Sequence, residues 1–472
     1  MTHTVEKIGG TSMSAFDAVL ENILLRPQFH YQRIFVVSAY GGITDALLEC
    51  KRTGKPGIYQ LVAQRSDQWR MAISDLRERM ILINNNLFAD PLTRGRADKF
   101  IRQRLKSAEE CIDNIMNTCR HGQFSLRLYL PQIREFLSSI GEAHSAYNTV
   151  LKLKSFGVNA QLIDLSGWND IQSDGLDEVL ADALTHVDLN TTLPIVTGYA
   201  HCKEGLMKTF DRGYSEITFS RLACITDASQ AIIHKEYHLS SADPRIVGAD
   251  HVFPMGKTNF DVADQLANLG MEAIHPKAAA GLRNQGIPLK IMNTFEPTHP
   301  GTLISQDFQS EKDNIQIIAG RNKVFALHIF DQAMVGSVDN VSFDVMEIIT
   351  DNKVQLVGKE MNANSITYYL TGSTSSLNNV LYKTEKRYPD ARIKGRMVAL
   401  ISAIGSSINT NQALSKGMVA LLNADINPIA ANASMRNINV QFVVEDDDYQ
   451  KTIRALHHTF VNQGDMKKMK VA

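Results

Sequence analysis

Four short stretches place glycine beside residues able to bind or transfer charged groups. The first is Lys7-Ile8-Gly9-Gly10-Thr11-Ser12. A glycine pair lets the backbone come close to an anion at a helix N-terminus, and Lys7 adds a mobile positive charge. The stretch lacks the GxxxxGK[ST] spacing of a P-loop, and two glycines also serve simply as a turn. The second is Ser38-Ala39-Tyr40-Gly41-Gly42-Ile43-Thr44. Ser38 and Thr44 offer hydroxyls to a carboxylate or phosphate, and Thr44 reads equally as a helix cap. The third, Ser139-Ile140-Gly141-Glu142-Ala143-His144-Ser145, puts a carboxylate on a helix among apolar residues. Glu142 could grip an ammonium group there, although an isolated helical Glu is usually solvated. His144 reads as structural. The fourth is Phe210-Asp211-Arg212-Gly213-Tyr214-Ser215-Glu216. Arg212 can clamp a carboxylate with two parallel hydrogen bonds, and Gly213 and Ser215 add donors. Ser215 alternatively opens a surface capping box. Thr226-Asp227, Asp243-Pro244-Arg245 and His275-Pro276 follow. Arg245 could face nucleotide phosphates. His275-Pro276 reads as the turn that starts a helix, not as a catalytic histidine.

These stretches need elements to hold them. Thr4–Ile8 reads as a short strand, and Phe16, Val19, Leu20, Ile23 and Leu24 recur at helical spacing behind it. Ile34–Val37 is a continuous apolar run, the pattern of a strand buried on both faces. Residues 58 to about 151 read as mostly helical, with Ile73, Leu76, Met80 and Ile83 on one apolar face. Strands are expected again at 160–164, 193–197 and 287–291. This alternation predicts an α/β layered domain over residues 1–306. Residues 307–314 are polar and charged, as in a linker.

A weak internal repeat follows. Val354–Leu370 aligns without gaps on Ile426–Phe442, an offset of 426 − 354 = 72 residues. Ile366, Tyr368 and Leu370 then pair with Ile438, Val440 and Phe442. Each copy reads helix, strand, polar turn, alternating strand, helix, which is the ferredoxin-like pattern. Two small α+β domains are expected, at 315–395 and 396–472.

Composition narrows the function classes. A chain of 472 residues is long enough for about three domains. Lys+Arg is 49 and Asp+Glu is 50, a net charge of -1, which argues against a nucleic-acid partner. No apolar run approaches the ~18 residues of a membrane span, and the N-terminus does not read as a signal peptide. Five scattered cysteines without a CxxC pair point to neither a disulfide framework nor a protein-held metal. A reducing, cytoplasmic setting fits.

The ordered set is far more specific than any member. Lys-x-Gly-Gly-Thr-Ser, Ser-Ala-x-x-Gly-Ile-Thr, Gly-Glu, Arg-Gly-x-Ser, Thr-Asp, Asp-Pro-Arg, His-Pro and Asn-Thr together resemble the aspartokinases of the amino-acid-kinase superfamily. The resemblance runs essentially end to end, and the repeat looks like the paired ACT domains of that family. It implies an amino-acid-kinase αβα sandwich followed by two ACT domains, with ATP and Mg²⁺ used to phosphorylate the side-chain carboxylate of L-aspartate. It also implies roles. Lys7, Gly9, Gly10 and Thr11 would meet the nucleotide, with Lys7 on the transferring phosphate. Ser38 and Thr44 would line the aspartate and phosphate site. Glu142 would hold the substrate amino group and Tyr199 would stand beside it. Arg212 would clamp the α-carboxylate, with Gly213, Ser215 and Glu216 adjacent. Thr226, Asp227 and Arg245 would lie on the nucleotide side. An amino-acid effector at Gly358–Ser365 and a homodimer through the ACT domains are expected as well.

Two departures stand out. The family usually reads Arg-Gly-Gly-Ser-Asp, whereas this chain has Tyr214 and Glu216 in the third and fifth places. The family also usually carries a lysine just ahead of Leu-His-Pro, where this chain has Glu272. If that lysine touches ATP phosphates, Glu272 reverses its contribution. Such variants point to a divergent branch, that of ectoine-producing bacteria. Two other readings compete: another amino-acid kinase acting on glutamate or acetylglutamate, and a catalytically impaired amino-acid sensor. The paired repeat, Glu142 and Arg212 weigh against the first. Retention of Lys7, Glu142 and Arg212 weighs against the second.

Overall fold

A computed structural model describes residues 2–25, 30–50, 53–168, 174–210, 213–271, 273–310 and 315–461. The chain divides into two compact units. The first comprises Met1–His238 and Ile274–Gln306, and the second Leu239–Ala273 and Asp307–Ala472.

The strands of the first 306 residues are β1 (Thr4–Ile8), β2 (Arg33–Val37), β3 (Ala160–Ile163), β4 (Leu193–Thr197), β5 (Gln230–Lys235), β6 (Lys257–Asn259), β7 (Leu289–Asn293) and β8 (Thr302–Ser305). Seven belong to the first unit, in the order β3-β4-β2-β1-β5-β7-β8. All these pairings are parallel except β7 with β8. Every residue of β2 and of β4 is buried, as the continuous apolar run predicts. In such a sheet the loops leaving the carboxyl ends of the strands form the natural ligand crevice. The helix after β1 is broken into α1 (Gly10–Ser14), a turn at Phe16–Val19 and a π-helical turn at Leu20–Leu24. Its five expected apolar positions are all buried.

The helical region contains α2 (Gln68–Leu87), α3 (Pro91–Thr118) and α4 (Leu126–Ser155). Ile73, Leu76 and Met80 are buried as expected, but the next buried residue on that face is Asn84, not Ile83. Asn84 Oδ1 meets His144 Nε2 at 2.7 Å and Asn148 Nδ2 at 2.8 Å. Burial pushes the His144 imidazole down to about 3. The neutral ring is a polar peg between α2 and α4, as its structural reading requires.

The second unit contains α6 (Phe260–Asn268), with α5 (Tyr214–Ile225) preceding it in the first, then α7 (Val338–Asp351), α8 (Thr374–Arg387), α9 (Thr410–Asn423) and α10 (Tyr449–Phe460). Its strands β9 (Ile317–Phe330), β10 (Gln355–Met361), β11 (Ser365–Thr371), β12 (Arg392–Ile404), β13 (Ala430–Ala433) and β14 (Asn439–Glu445) form one antiparallel sheet, ordered β10-β11-β9-β12-β14-β13. The two repeats appear as α7-β10-β11-α8 and α9-β13-β14-α10. Ile366, Tyr368 and Leu370 are buried, and so are Ile438, Val440 and Phe442. Alternation along β12 puts Ile393, Ala399, Ile401 and Ala403 on one face, which the four helices α7 to α10 cover, and Val398, Leu400 and Ile404 on the other. Phe325, Leu327 and Ile329 pack with Val345, Ile349, Leu377 and Val380 under α7 and α8. Ile318, Ala399, Ile401 and Phe442 pack with Leu421, Ile453 and Leu456 under α9 and α10.

Two expected boundaries fall elsewhere. The seam at 395/396 lies inside β12, which with β9 runs through both halves of the sheet. Ile318 packs with the second repeat before Phe325 enters the first, so the first repeat is nested within the second. Leu239–Ala273, read as part of the first domain, packs in the second unit. Val262, Leu266 and Leu269, carried by or just after α6, bury themselves against Val324, Val398, Leu400 and Val443 of that sheet. Among the described residues no helix is long and apolar enough to cross a membrane.

Candidate active site

Three parallel strands end together at the site. β1 delivers Gly9-Gly10, β2 delivers Ser38 to Thr44, and β4 delivers Gly198-Tyr199. α4 passes beneath with Glu142, and α5 opens at Gly213. A cavity of about 480 Å³ lies among them, lined by Gly10, Thr11, Ser38, Thr44, Glu142 and Gly213–Ser215 among others. Close backbone approach explains the glycines there. A Cβ on Gly10 would stand 2.7 Å from the Ala39 carbonyl oxygen. Gly42 has φ of 74°, and the Arg79 guanidinium caps its carbonyl at 3.2 Å and that of Gly41 at 2.7 Å. Ser38 Oγ and Ser215 Oγ are 3.5 Å apart, which joins the second and fourth stretches.

Glu142 is 2% exposed. Burial pushes its carboxyl up to about 8, against the opposing pull of Lys7 and the Tyr199 backbone N–H. Its Oε2 has no hydrogen-bond partner among the described residues. A buried carboxylate oxygen left unmatched in a cavity wall is costly for the fold and complementary to a cationic guest.

Lys7 is buried behind the glycine turn, with Nζ 4.0 Å from Glu216 Oε1. Glu216 Oε2 accepts the His275 backbone N–H at 2.5 Å. The longer side chain at 216 thus spans from the lysine to the start of the helix Pro276–Asn284. His275 is the N-cap of that helix, its Nδ1 accepting the Lys277 N–H at 3.3 Å. This is the turn-forming role read from the sequence.

Three expected residues, Tyr199, Thr226 and Asp227, sit differently. The Tyr199 side chain is not part of the cavity lining; its hydroxyl donates to Glu135 Oε2 at 2.8 Å, and its backbone N–H serves Glu142. Thr226 and Asp227 follow the far end of α5. The Thr226 hydroxyl meets His3 Nε2 at 2.8 Å, at the amino end of β1, one strand length from the glycine turn. A chain that crosses back under the sheet must return there before β5 begins, so these two cannot join the carboxyl-end loops. Arg245 belongs to the second unit, where it pairs with Asp243 at 2.7 Å and where Asp243 caps the turn Pro244–Val247. Arg212 and Glu272 lie outside the described residues.

The sequence reading missed two features. Gly198 is a contact point: a Cβ there would meet Ser215 Cβ at 2.6 Å and Glu142 Oε1 at 3.0 Å. The apolar strand ahead of it was the available signal. The other is a buried charge relay beneath the turn. Glu6 on β1 binds Arg33 on β2 at 2.6 and 2.9 Å and His234 on β5 at 2.7 Å. These partners outweigh burial and hold the Glu6 carboxyl well below the usual range. Register explains it, since Glu6 stands between neighbouring strands whose partners are far away in sequence.

Parallel strands ending in a glycine-lined cavity, a buried lysine and an orphaned carboxylate define an amino-acid phosphotransferase type of site, and residues 3–293 match the model of the amino acid kinase family. The chain belongs to that family. It is similar to aspartate kinase Ask_Ect of Stutzerimonas stutzeri (strain A1501), at 48% identity over 98% of this chain and 99% of that one. Its fold is similar to that of E. coli aspartokinase III in complex with aspartate and ADP in the R-state, with a TM-score of 0.73 at 20% identity, covering 98% of this chain and 100% of that one. The T-state of the same enzyme, in complex with lysine and aspartate, gives a TM-score of 0.69 at 19% identity with the same coverage.

Proposed function

We propose that the protein is an aspartate kinase, transferring the γ-phosphoryl group of ATP to the side-chain carboxylate of L-aspartate to give 4-phospho-L-aspartate and ADP. The observation that carries this reading is the buried, unpartnered Glu142 oxygen in the cavity wall. An α-ammonium group satisfies it. Arg212 clamps the α-carboxylate beside Gly213, and Ser38, Thr44 and Ser215 direct hydroxyls at the substrate. Gly9, Gly10 and Thr11 approach the phosphates. Lys7 offsets the charge that builds on the transferring group. Glu216 holds Lys7 in place. The β-carboxylate of aspartate is ionised near neutral pH, so phosphoryl transfer needs positioning and neutralisation more than a general base.

Mg²⁺ supplies further charge neutralisation when bound. Its ligands would be largely nucleotide oxygens and water, as is usual for this ion. Kinship at 48% identity supports service in the aspartate-family or ectoine pathway. The second unit supports an effector role: Gly358–Met361 lie on β10, an edge strand of its sheet, ahead of the turn to β11. We assign an amino-acid effector and homodimer contacts to that unit, in a reducing cytoplasm that suits the free cysteines.

Hydroxylamine trapping with ATP, Mg²⁺ and L-aspartate, with L-glutamate in parallel, tests the reading. Aspartyl hydroxamate that is lost in Arg212→Ala supports it. A folded protein that binds aspartate yet yields no hydroxamate overturns it in favour of a sensor.

A further inference from the structure

We infer that Tyr214 sets the length of side chain the amino-acid pocket accepts and so separates aspartate from glutamate, which is one methylene longer. The inference rests on the aspartate-kinase reading and concerns a residue to which that reading gives no role. Tyr214 lines the cavity between Gly213 and Ser215, with its side chain largely buried. Its hydroxyl is hydrogen-bonded to Thr44 across the cavity, and its ring lies within electrostatic reach of Glu142. The ring therefore stands beside the place where the ammonium group is held.

The ring cannot retreat. Its outer side meets the Tyr199 ring edge-on, with centroids 5.9 Å apart at 76°. Tyr199 is itself fixed by Glu135, whose other oxygen accepts the Lys208 N–H at 2.9 Å. The backbone cannot swing away either. Gly213 has φ of 76° and packs so closely on His275 that a Cβ would stand 2.7 Å from the imidazole. On the facing side, Glu142 approaches Gly198 so closely that a Cβ there would stand 3.0 Å from its Oε1. A pocket with both walls fixed discriminates by length, and one methylene in such a pocket is worth ~10–200-fold in kcat/KM.

The test measures kcat/KM for L-aspartate and L-glutamate by hydroxamate formation in the full-length protein, with Tyr214→Ala and Tyr214→Phe beside the wild type. Tyr214→Ala is expected to raise the glutamate-to-aspartate ratio by ~10-fold or more. Tyr214→Phe keeps the ring, so it should keep the wild-type ratio while raising the KM for aspartate through loss of the Thr44 bond. An unchanged ratio in Tyr214→Ala overturns the inference, as does an equal shift in Tyr214→Phe. If Tyr214→Ala does not fold, Tyr214→Leu takes its place, with titration calorimetry of both amino acids; relative glutamate affinity must rise or the inference falls. A wild type inert toward both amino acids sinks the aspartate-kinase reading and this inference with it. An active wild type with an unmoved ratio sinks the inference alone.

Discussion

Both units have apolar interiors, but among the described residues every buried Asp, Glu, Lys or Arg side chain belongs to the first. The sheet of the second unit is covered on both faces by aliphatic and aromatic side chains, and its repeats reuse one pattern 72 residues apart. The first unit buries charge. Glu6, Lys7, Arg33 and Glu142 are all below 9% exposed, carried by β1, the first residue of β2 and α4. A hydrophobic interior only has to hold a shape. The charged one also has to present an unmatched carboxylate to a guest, which costs stability that its partners must offset.

The largest expected effect distinguishes these two ways of building. Arg33→Met strands Glu6 and should destabilise the first unit by ~3–5 kcal/mol, because one partner of a buried pair is removed. Phe442→Ala opens a cavity in the second unit and should cost a similar ~3–5 kcal/mol. Acid separates them. The Glu6 carboxyl is held low in the folded state, so its contribution is present above the ordinary carboxylate pKa and lost as pH falls below it. Urea melts between about pH 5 and pH 2 should show the Arg33→Met penalty shrinking and the Phe442→Ala penalty staying constant. Equal pH dependence would erase the distinction drawn here.

Lys7→Met should come next. It removes charge from the transferring group and should lower kcat by ~10²–10³-fold. Methionine spares the fold the desolvation of a buried ammonium, and Glu142 is held largely protonated near neutral pH, so the thermal midpoint should move little while turnover collapses. A drop in stability matching the drop in activity would make Lys7 a structural residue.

The same contrast decides what could be read from the sequence. Alternation along β11 and β14 is a local signal, and the repeat doubled it, so the buried residues of both copies were legible. Their division was not. A strand shared by two repeats looks the same in sequence as two strands joined end to end, and β12 hid the seam. In the first unit the glycine turns were legible because backbone approach and positive φ leave few alternatives to glycine. Glu142, Lys7 and Ser215 came with them. Thr226-Asp227 shows the limit: a polar pair after a helix looks alike at either edge of a parallel sheet. The Glu6–Arg33–His234 relay was invisible for a related reason, since it needs the register of three strands drawn from distant parts of the chain.

A smaller effect concerns protons. In the empty site Glu142 holds a proton up to about 8, so unfolding releases it between the ordinary carboxylate range and that value. Stability from this group therefore falls as pH rises from about 4.3 toward 8. Glu142→Gln should flatten that slope in thermal melts. An ammonium guest needs the ionised form, so aspartate binding at pH 7 should release a proton. Calorimetry in two buffers of different ionisation enthalpy would detect it, and binding without proton release would remove Glu142 from the amino-group site.

The smallest effects come from Thr226, at the amino end of β1, and from the exposed Arg245. Thr226→Val removes a hydroxyl at the amino end of β1, and Arg245→Ala removes an exposed guanidinium paired with Asp243. Exposed pairs are worth ~0–1 kcal/mol, so Arg245→Ala should shift stability by less than ~1 kcal/mol. Thr226→Val should not change the KM for ATP more than about twofold, since ~0.4 kcal/mol of altered binding corresponds to a factor of two. The sequence motif assigned both to the nucleotide, so this measurement sets motif order against strand topology. A tenfold rise in the KM for ATP in Thr226→Val would return that residue to the nucleotide side and overturn its placement by strand topology. An unchanged KM leaves nucleotide binding to the residues at the carboxyl ends of the strands.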